Sequence, residues 1–175
     1  MSTEDTRRAP AASDGPSALV SLGYLFAFLA VVFVAAAAGG AVTSTSVGDW
    51  YETLAKPALT PAQWVFPVVW NFLYFLMAIA AWLVWRAAGS FEKGGFALSL
   101  FGIQLSFNLA WSIVFFGLKN PELAILIAVA LDIAIAGTLF AFFQASRLAA
   151  LLMAPYLAWT LFATYLTIGI ALLNG

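Results

Sequence analysis

Residues 63–86 read QWVFPVVWNFLYFLMAIAAWLVWR, with no charged side chain before Arg86, a single proline near the start, and tryptophans again at the exit. About 20 consecutive apolar residues are what a helix needs to cross a hydrocarbon core of roughly 30 Å. In lipid, a backbone satisfies its N–H and C=O groups only within a helix or a closed barrel. Similar stretches recur at 18–42, 96–117, 121–144 and 148–173. The spacing therefore predicts an all-α membrane protein, a bundle of five transmembrane helices.

Composition points the same way. Of 175 residues, 64% are hydrophobic and 9% charged, where a soluble domain carries roughly 25% charged residues. Mean hydropathy is +1.00. A net charge of -1 offers no electrostatic footprint for nucleic acid. Cysteine and histidine are both absent. That removes disulfides, thiolate nucleophiles, Cys/His zinc sites, axial His or Cys ligation of haem, and the side chain best suited to proton transfer near neutral pH. No metal and no required cofactor is expected. The 16 Phe, 7 Trp and 5 Tyr suit interface belts and core packing.

Outside the spans, residues 1–17 are polar, with Arg7, Arg8, Pro10, Gly15 and Pro16, and read as a disordered tail. The run Leu19 to Val42 is too long for a signal-peptide core and is followed by further spans, so it reads as a retained helix. The one long polar connection, 43–61, carries Asp49 as a cap for a short helical turn to about Ala55; Pro57 and Pro61 then forbid a regular helix. Trp50 and Tyr51 beside charges suggest a segment at the membrane interface. Short loops elsewhere make consecutive spans antiparallel. With five spans, Arg7, Arg8, Arg86, Lys93 and Arg147 fall on one side, and Lys56 and Lys119 on the other. That asymmetry favours a cytoplasmic N-terminus, and the polar, mixed-charge tail suits a bacterial membrane.

The third span divides into two faces. At about 100° per residue, Gly102, Ser106 and Ala110 form a stripe of small residues, and Gln104, Asn108, Trp111 and Phe115 fall opposite. Small residues four apart let helix backbones approach closely, so the stripe reads as a packing or dimer surface. In lipid the two amides must bond neighbouring helices or line a cavity, and the residues alone leave both open. Trp70, Tyr74, Met77 and Ala78 stack along the second span, with Asn71 adjacent; Trp159 and Phe162 share a side of the fifth. Brought together, such faces make an apolar cavity with few polar anchors, as small-molecule sites require. Asp132 is the one acidic residue in mid-span, and the lack of a mid-span cation favours a hydrogen-bonded structural role.

The ordered set Trp50-Tyr51, Leu54, Lys56-Pro57, Pro61, Trp64-Val65-Phe66, Trp70, Leu73-Tyr74 and Met77 resembles the signature of the tryptophan-rich sensory protein/translocator protein family (TspO/MBR, peripheral benzodiazepine receptor-like). Gln104-Leu105, Asn108, Ala110-Trp111 and Phe115-Phe116-Gly117 are similar to its third helix, and Pro155 to Trp159, Phe162 and Thr164 to its fifth. The resemblance implies a five-helix bundle, usually a homodimer, that binds tetrapyrroles such as protoporphyrin IX and, in some members, sterols and benzodiazepine-type ligands. It further implies that Tyr51 and Pro61 belong to a lid formed by the first loop, and that Trp70, Tyr74, Asn108, Trp111 and Trp159 line the pocket. This chain departs from the family pattern in carrying Ala58-Leu59 and Ala62, a less aromatic lid. No basic residue follows Tyr165, so sterol recognition is not supported, and Thr167 stands where many relatives have asparagine.

Three functions follow from the resemblance: a sensor or regulator that binds porphyrin, a transporter of porphyrins and other amphipathic molecules, and an enzyme that degrades porphyrin through Trp70 and Trp159. No nucleotide-cofactor motif or conventional acid–base machinery is present for the enzyme. Binding is common to all three and is the function expected. For the small-residue stripe, Gly102→Leu is expected to abolish association of two copies in detergent. Light scattering after size-exclusion chromatography checks this, and an unchanged dimer places the interface elsewhere.

Overall fold

The computed structural model describes residues 16–175; the polar tail read at the N-terminus lies, but for Pro16 and Ser17, outside the described residues. The elements are α1 (Ala18–Ser44), a short α2 (Trp50–Thr53), α3 (Val65–Ala88), α4 (Phe91–Ser112) continued by a π-helical turn (Ile113–Gly117), α5 (Pro121–Ala145) and α6 (Arg147–Asn174). Among the described residues there is no strand, and α1, α3, α4 with its π turn, α5 and α6 are each long and apolar enough to cross a membrane.

Local chemistry explains where each helix starts and stops. Ser17 accepts a hydrogen bond from the Val20 N–H at the start of α1. Gly89, at φ 74°, closes α3 in the left-handed conformation that glycine adopts without strain. Ser90 then caps α4 at once through the Lys93 N–H. The third span thus begins at Phe91, five positions earlier than its apolar run suggests, because a cap starts a helix whether or not the first turn is apolar. Asn120 caps α5 through the Leu123 N–H, with Pro121 at the first helical position. Ser146 alone separates α5 from α6: its N–H bonds the Phe142 carbonyl and its hydroxyl accepts from the Ala149 N–H. Asp49 stands before α2, but its carboxylate makes no capping bond, and the turn is shorter than the sequence suggests, ending at Thr53.

α3 packs against α1, α4, α5 and α6 and is the axis of the bundle. Its inward face is built from Ala78, Ala80, Ala81 and Val84, all fully buried, and small side chains are what allow helices to close in where lipid supplies no hydrophobic push. The distribution of polarity is inverted relative to a soluble protein. Leu19, Phe26, Val34, Phe72, Phe96, Ile133, Phe140 and Leu151 point outward, while Gln104, Asn108, Asp132, Thr138, Thr160, Thr164 and Thr167 are buried. Lipid tolerates the first set, and the second finds partners inside for most of its polar atoms, Gln104 Nε2 and Asp132 Oδ1 excepted.

Asp132 shows how. Its Oδ2 accepts a hydrogen bond from the Thr164 hydroxyl at 2.7 Å, clasping α5 to α6. That bond fits the hydrogen-bonded role expected from the lack of a charged partner, while the other carboxyl oxygen, Oδ1, is buried without a partner. Thr164→Val removes the donor and leaves the carboxyl alone in the core. A loss of about 1–3 kcal/mol is expected from thermal unfolding in detergent. Adding Asp132→Leu, which takes away the stranded acceptor, is expected to restore most of the stability.

Candidate functional site

At the end of the bundle where α1 and α6 finish, the helices part around a cavity of about 720 Å³, within the roughly 300–1,000 Å³ of small-molecule sites. α1, α3, α4, the π turn and α6 form its walls, and Val47 and Tyr51 reach it from the loop after α1; α5 contributes nothing. Two stacked aromatic pairs line it. On α3, Trp70 lies over Tyr74 with ring centroids 5.5 Å apart; on α4 and the π turn, Trp111 lies over Phe115 at 5.2 Å.

The π turn shapes the second wall. Leu118 N–H bonds the Ile113 carbonyl across the widened turn, and the freed Phe116 carbonyl accepts from the Ser46 hydroxyl at 2.8 Å. A π turn shifts the residues that follow it out of α-helical register. Phe115 and its neighbour Phe116 are consequently both buried and both line the cavity. Gly117 ends this turn close against α1, where a Cβ would stand 3.1 Å from a Val42 methyl.

Beneath the aromatic floor runs a polar chain. The Tyr74 hydroxyl donates to Asn108 Oδ1 at 2.8 Å, Asn108 Nδ2 donates to the Tyr156 hydroxyl at 3.2 Å, and that hydroxyl donates to Gln104 Oε1 at 2.9 Å. Three helices, α3, α4 and α6, are tied in one network. Between the readings open for the two amides, interhelical bonding describes both. Asn108 keeps its edge on the cavity wall.

Several expected liners sit elsewhere. Gln104 is fully buried, one turn deeper along α4 than Asn108, and Tyr156 separates it from the cavity. Trp159 is likewise a turn deeper along α6 than the cavity-lining Ala163. It packs edge-on behind Phe66 at 5.9 Å, and Phe66 takes the place at the wall. Pro61 lies in the loop leading into α3, not in the wall. Of the residues singled out from sequence, Tyr51, Trp70, Tyr74, Asn108, Trp111 and Phe115 are brought together. The sequence reading missed Phe33, Phe66, Phe116 and Leu166 as liners. On α1, apolar all round, nothing in the sequence distinguishes the cavity-facing Phe33 from a lipid-facing Phe; Phe66 and Phe116 stand in the ordered motifs, and Leu166 shares the helix side of Trp159 and Phe162. Gly102 and Ser106 face outward, and space for a side chain is open at Gly102.

Tyr51 forms part of the cavity roof. It is 8% exposed, packed on Phe115 and Phe116, with the Lys56 ammonium over its ring at 4.7 Å. It is thus a core residue of the bundle end, within the segment read as interfacial. Burial pushes its phenol above the ordinary value. The Trp111 indole N–H is buried with no partner and belongs to a cavity-lining side chain, so it is a donor in reserve for a ligand acceptor.

A sequence model of the TspO/MBR family matches residues 27–173. The chain belongs to the TspO/MBR family. It is 40% identical over 151 residues to a tryptophan-rich protein TspO of Archaeoglobus fulgidus, covering 86% of this chain and 94% of the relative. A tryptophan-rich sensory protein of Cereibacter sphaeroides is 39% identical over 148 residues, 83% of this chain and 91% of that one. The human translocator protein is 42% identical over 118 residues, 67% of this chain and 70% of its own length. The matched residues of the TspO/MBR model include every wall of the cavity and the whole polar chain beneath it.

Tyr156 is the test of that polar chain. Tyr156→Phe leaves a donor on Asn108 and an acceptor on Gln104 unmet, and a loss of about 1–3 kcal/mol is expected in thermal unfolding, with helix content unchanged by circular dichroism. Tyr74→Phe removes a single bond at the cavity edge and is expected to cost less. The reverse order would mean the network is not what ties the helices.

Proposed function

We propose that this protein binds a tetrapyrrole of the protoporphyrin IX type in the membrane, as a sensor or regulator of porphyrins or as a transporter of them and of other amphipathic molecules. The observation that carries the reading is the cavity itself: about 720 Å³, walled by two stacked aromatic pairs. A flat aromatic macrocycle with carboxylates at its edge suits such walls, and Trp111 offers an indole N–H to an anionic edge. The relatives' names, tryptophan-rich sensory protein and translocator protein, agree with a role in sensing or moving a ligand.

One observation keeps a second reading, light- or oxygen-dependent degradation of porphyrin, in view. Trp70 at the cavity wall contacts both Tyr74 and, edge-on at 6.2 Å, Tyr156, an aromatic cluster suited to radical chemistry. Trp159 stands behind Phe66, so of the two candidate tryptophans only Trp70 would touch a bound ring.

Two features of the setting belong to the same proposal. The stripe of exposed Gly102 and Ser106 and half-buried Ala110 is the face we assign to a homodimer, away from the cavity. The bundle end that carries Arg86, Lys93 and Arg147 is the one we assign to the cytoplasm of a bacterial cell.

Protoporphyrin IX added in the dark is expected to quench tryptophan fluorescence saturably. Trp70→Leu combined with Trp111→Leu is expected to weaken binding by about tenfold or more, since each ring contact contributes roughly 0.5–1.5 kcal/mol. Absence of saturable quenching in the wild type would sink the tetrapyrrole reading. Bleaching of the bound porphyrin under light, lost in Trp70→Phe, would move the assignment to the enzyme.

A further inference from the structure

The loop that roofs the cavity is held from two sides, and the two holds differ in kind. On the inner side, Ser46 bonds the Phe116 carbonyl and Tyr51 is buried against Phe115 and Phe116. On the outer side, the last turn of α6 grips the stretch after α2. The Asn174 carboxamide bonds both backbone groups of Ala55: its Oδ1 accepts from the Ala55 N–H and its Nδ2 donates to the Ala55 carbonyl, each at 2.9 Å. One side chain thereby reproduces the exchanged pair of bonds that neighbouring strands make in a ladder. A further bond from Nδ2 to the Ile170 carbonyl, at 2.8 Å, orients the carboxamide on its own helix.

Two residues along the loop, Pro57 lies directly on Gly169. A Cβ at Gly169 would stand 2.9 Å from Pro57 Cγ and 3.0 Å from its Cβ. Close approach, rather than any unusual backbone angle, is what calls for glycine there. The neighbouring Ile170 lines the cavity, so the loop is seated on the turn of α6 that forms the cavity wall.

The Asn174–Ala55 bonds are exposed, and bonds that water can replace open far more readily than the packing of a buried ring. We propose that Asn174 on Ala55, together with Pro57 on Gly169, forms a latch that sets how fast molecules pass between the outside and the cavity. Asn174 and Gly169 are positioning residues: they act by holding the loop whose Tyr51 roofs the site. The latch rests on the cavity being the binding site, but access to the cavity is a property of the empty protein and is measured without a ligand.

The chain has no cysteine, so one introduced thiol reports alone. Thr167→Cys places it on the cavity wall at a fully buried position. Its modification by a small water-soluble maleimide is followed by mass in the parent, in Asn174→Ala and in Gly169→Ala. Because alanine favours a helix more than glycine does, the second variant keeps α6 sound if the first does not fold. Either variant is expected to react about fivefold faster or more. Thr138→Cys, buried away from the cavity, is expected to stay slow in every background. Rates within about twofold of the parent in both variants would overturn the latch, as would equal acceleration at position 138, which would mean general loosening. These rates have the same meaning whether or not protoporphyrin IX binds. If it does, Asn174→Ala is expected to raise its association and dissociation rates together with little change in Kd.

Discussion

The Tyr156 hydroxyl, fully buried on α6, donates to Gln104 and accepts from Asn108, whose carbonyl oxygen holds the Tyr74 hydroxyl on α3. No water competes for these groups in the middle of a bilayer, and apolar surface alone gives helices there little reason to choose one arrangement over another. Directional bonds decide it. The network fixes the rotation of α3, α4 and α6 about their own axes, and each rotation sets which side chains look into the space above. The Thr164–Asp132 bond then adds α5 to the same assembly from the side away from the cavity.

Above that network the packing is incomplete, and the gap is the cavity. The large rings that border it are already paired, Trp70 on Tyr74 and Trp111 on Phe115, so their faces are held in place before any ligand arrives. Preorganised walls lower the ordering cost of binding. Several polar groups near the cavity are spent on one another, while the indole N–H groups of Trp111 and Trp159 and Gln104 Nε2 are buried without partners.

The irregular backbone gathers at this end of the molecule. The π turn, the loop after α1 and the last turn of α6 satisfy one another: Ser46 takes the carbonyl that the π turn frees, and Asn174 takes both backbone groups of Ala55. Non-helical backbone is tolerated near a membrane where protein, rather than lipid, meets its hydrogen-bonding groups. At the opposite end α1 is pinned by the Trp82 indole N–H on the Ser21 carbonyl and by Tyr24 against Trp85. Regular, short connections join α3 to α4 and α5 to α6 there.

The amino-acid sequence by itself determined the helices, because a run such as 63–86 has no other structure in lipid that satisfies its backbone. It also determined which face of α4 turns inward, since Gln104 and Asn108 cannot face lipid while Gly102 and Ser106 can. The ordered aromatic and proline motifs made the family legible as well. Depth was beyond it: Gln104 and Asn108 share a face, and only the packing of Tyr156 puts one below the cavity and the other at its wall. Trp159 and Phe66 stand on different helices, and the order in which they shield the cavity is set where those helices cross. Phe33 belongs to a helix so apolar throughout that no periodicity marks a cavity side. The pairing of Asn174 with Ala55 joins residues 119 positions apart, and a contact of that kind exists only once the tertiary fold has brought the two ends together.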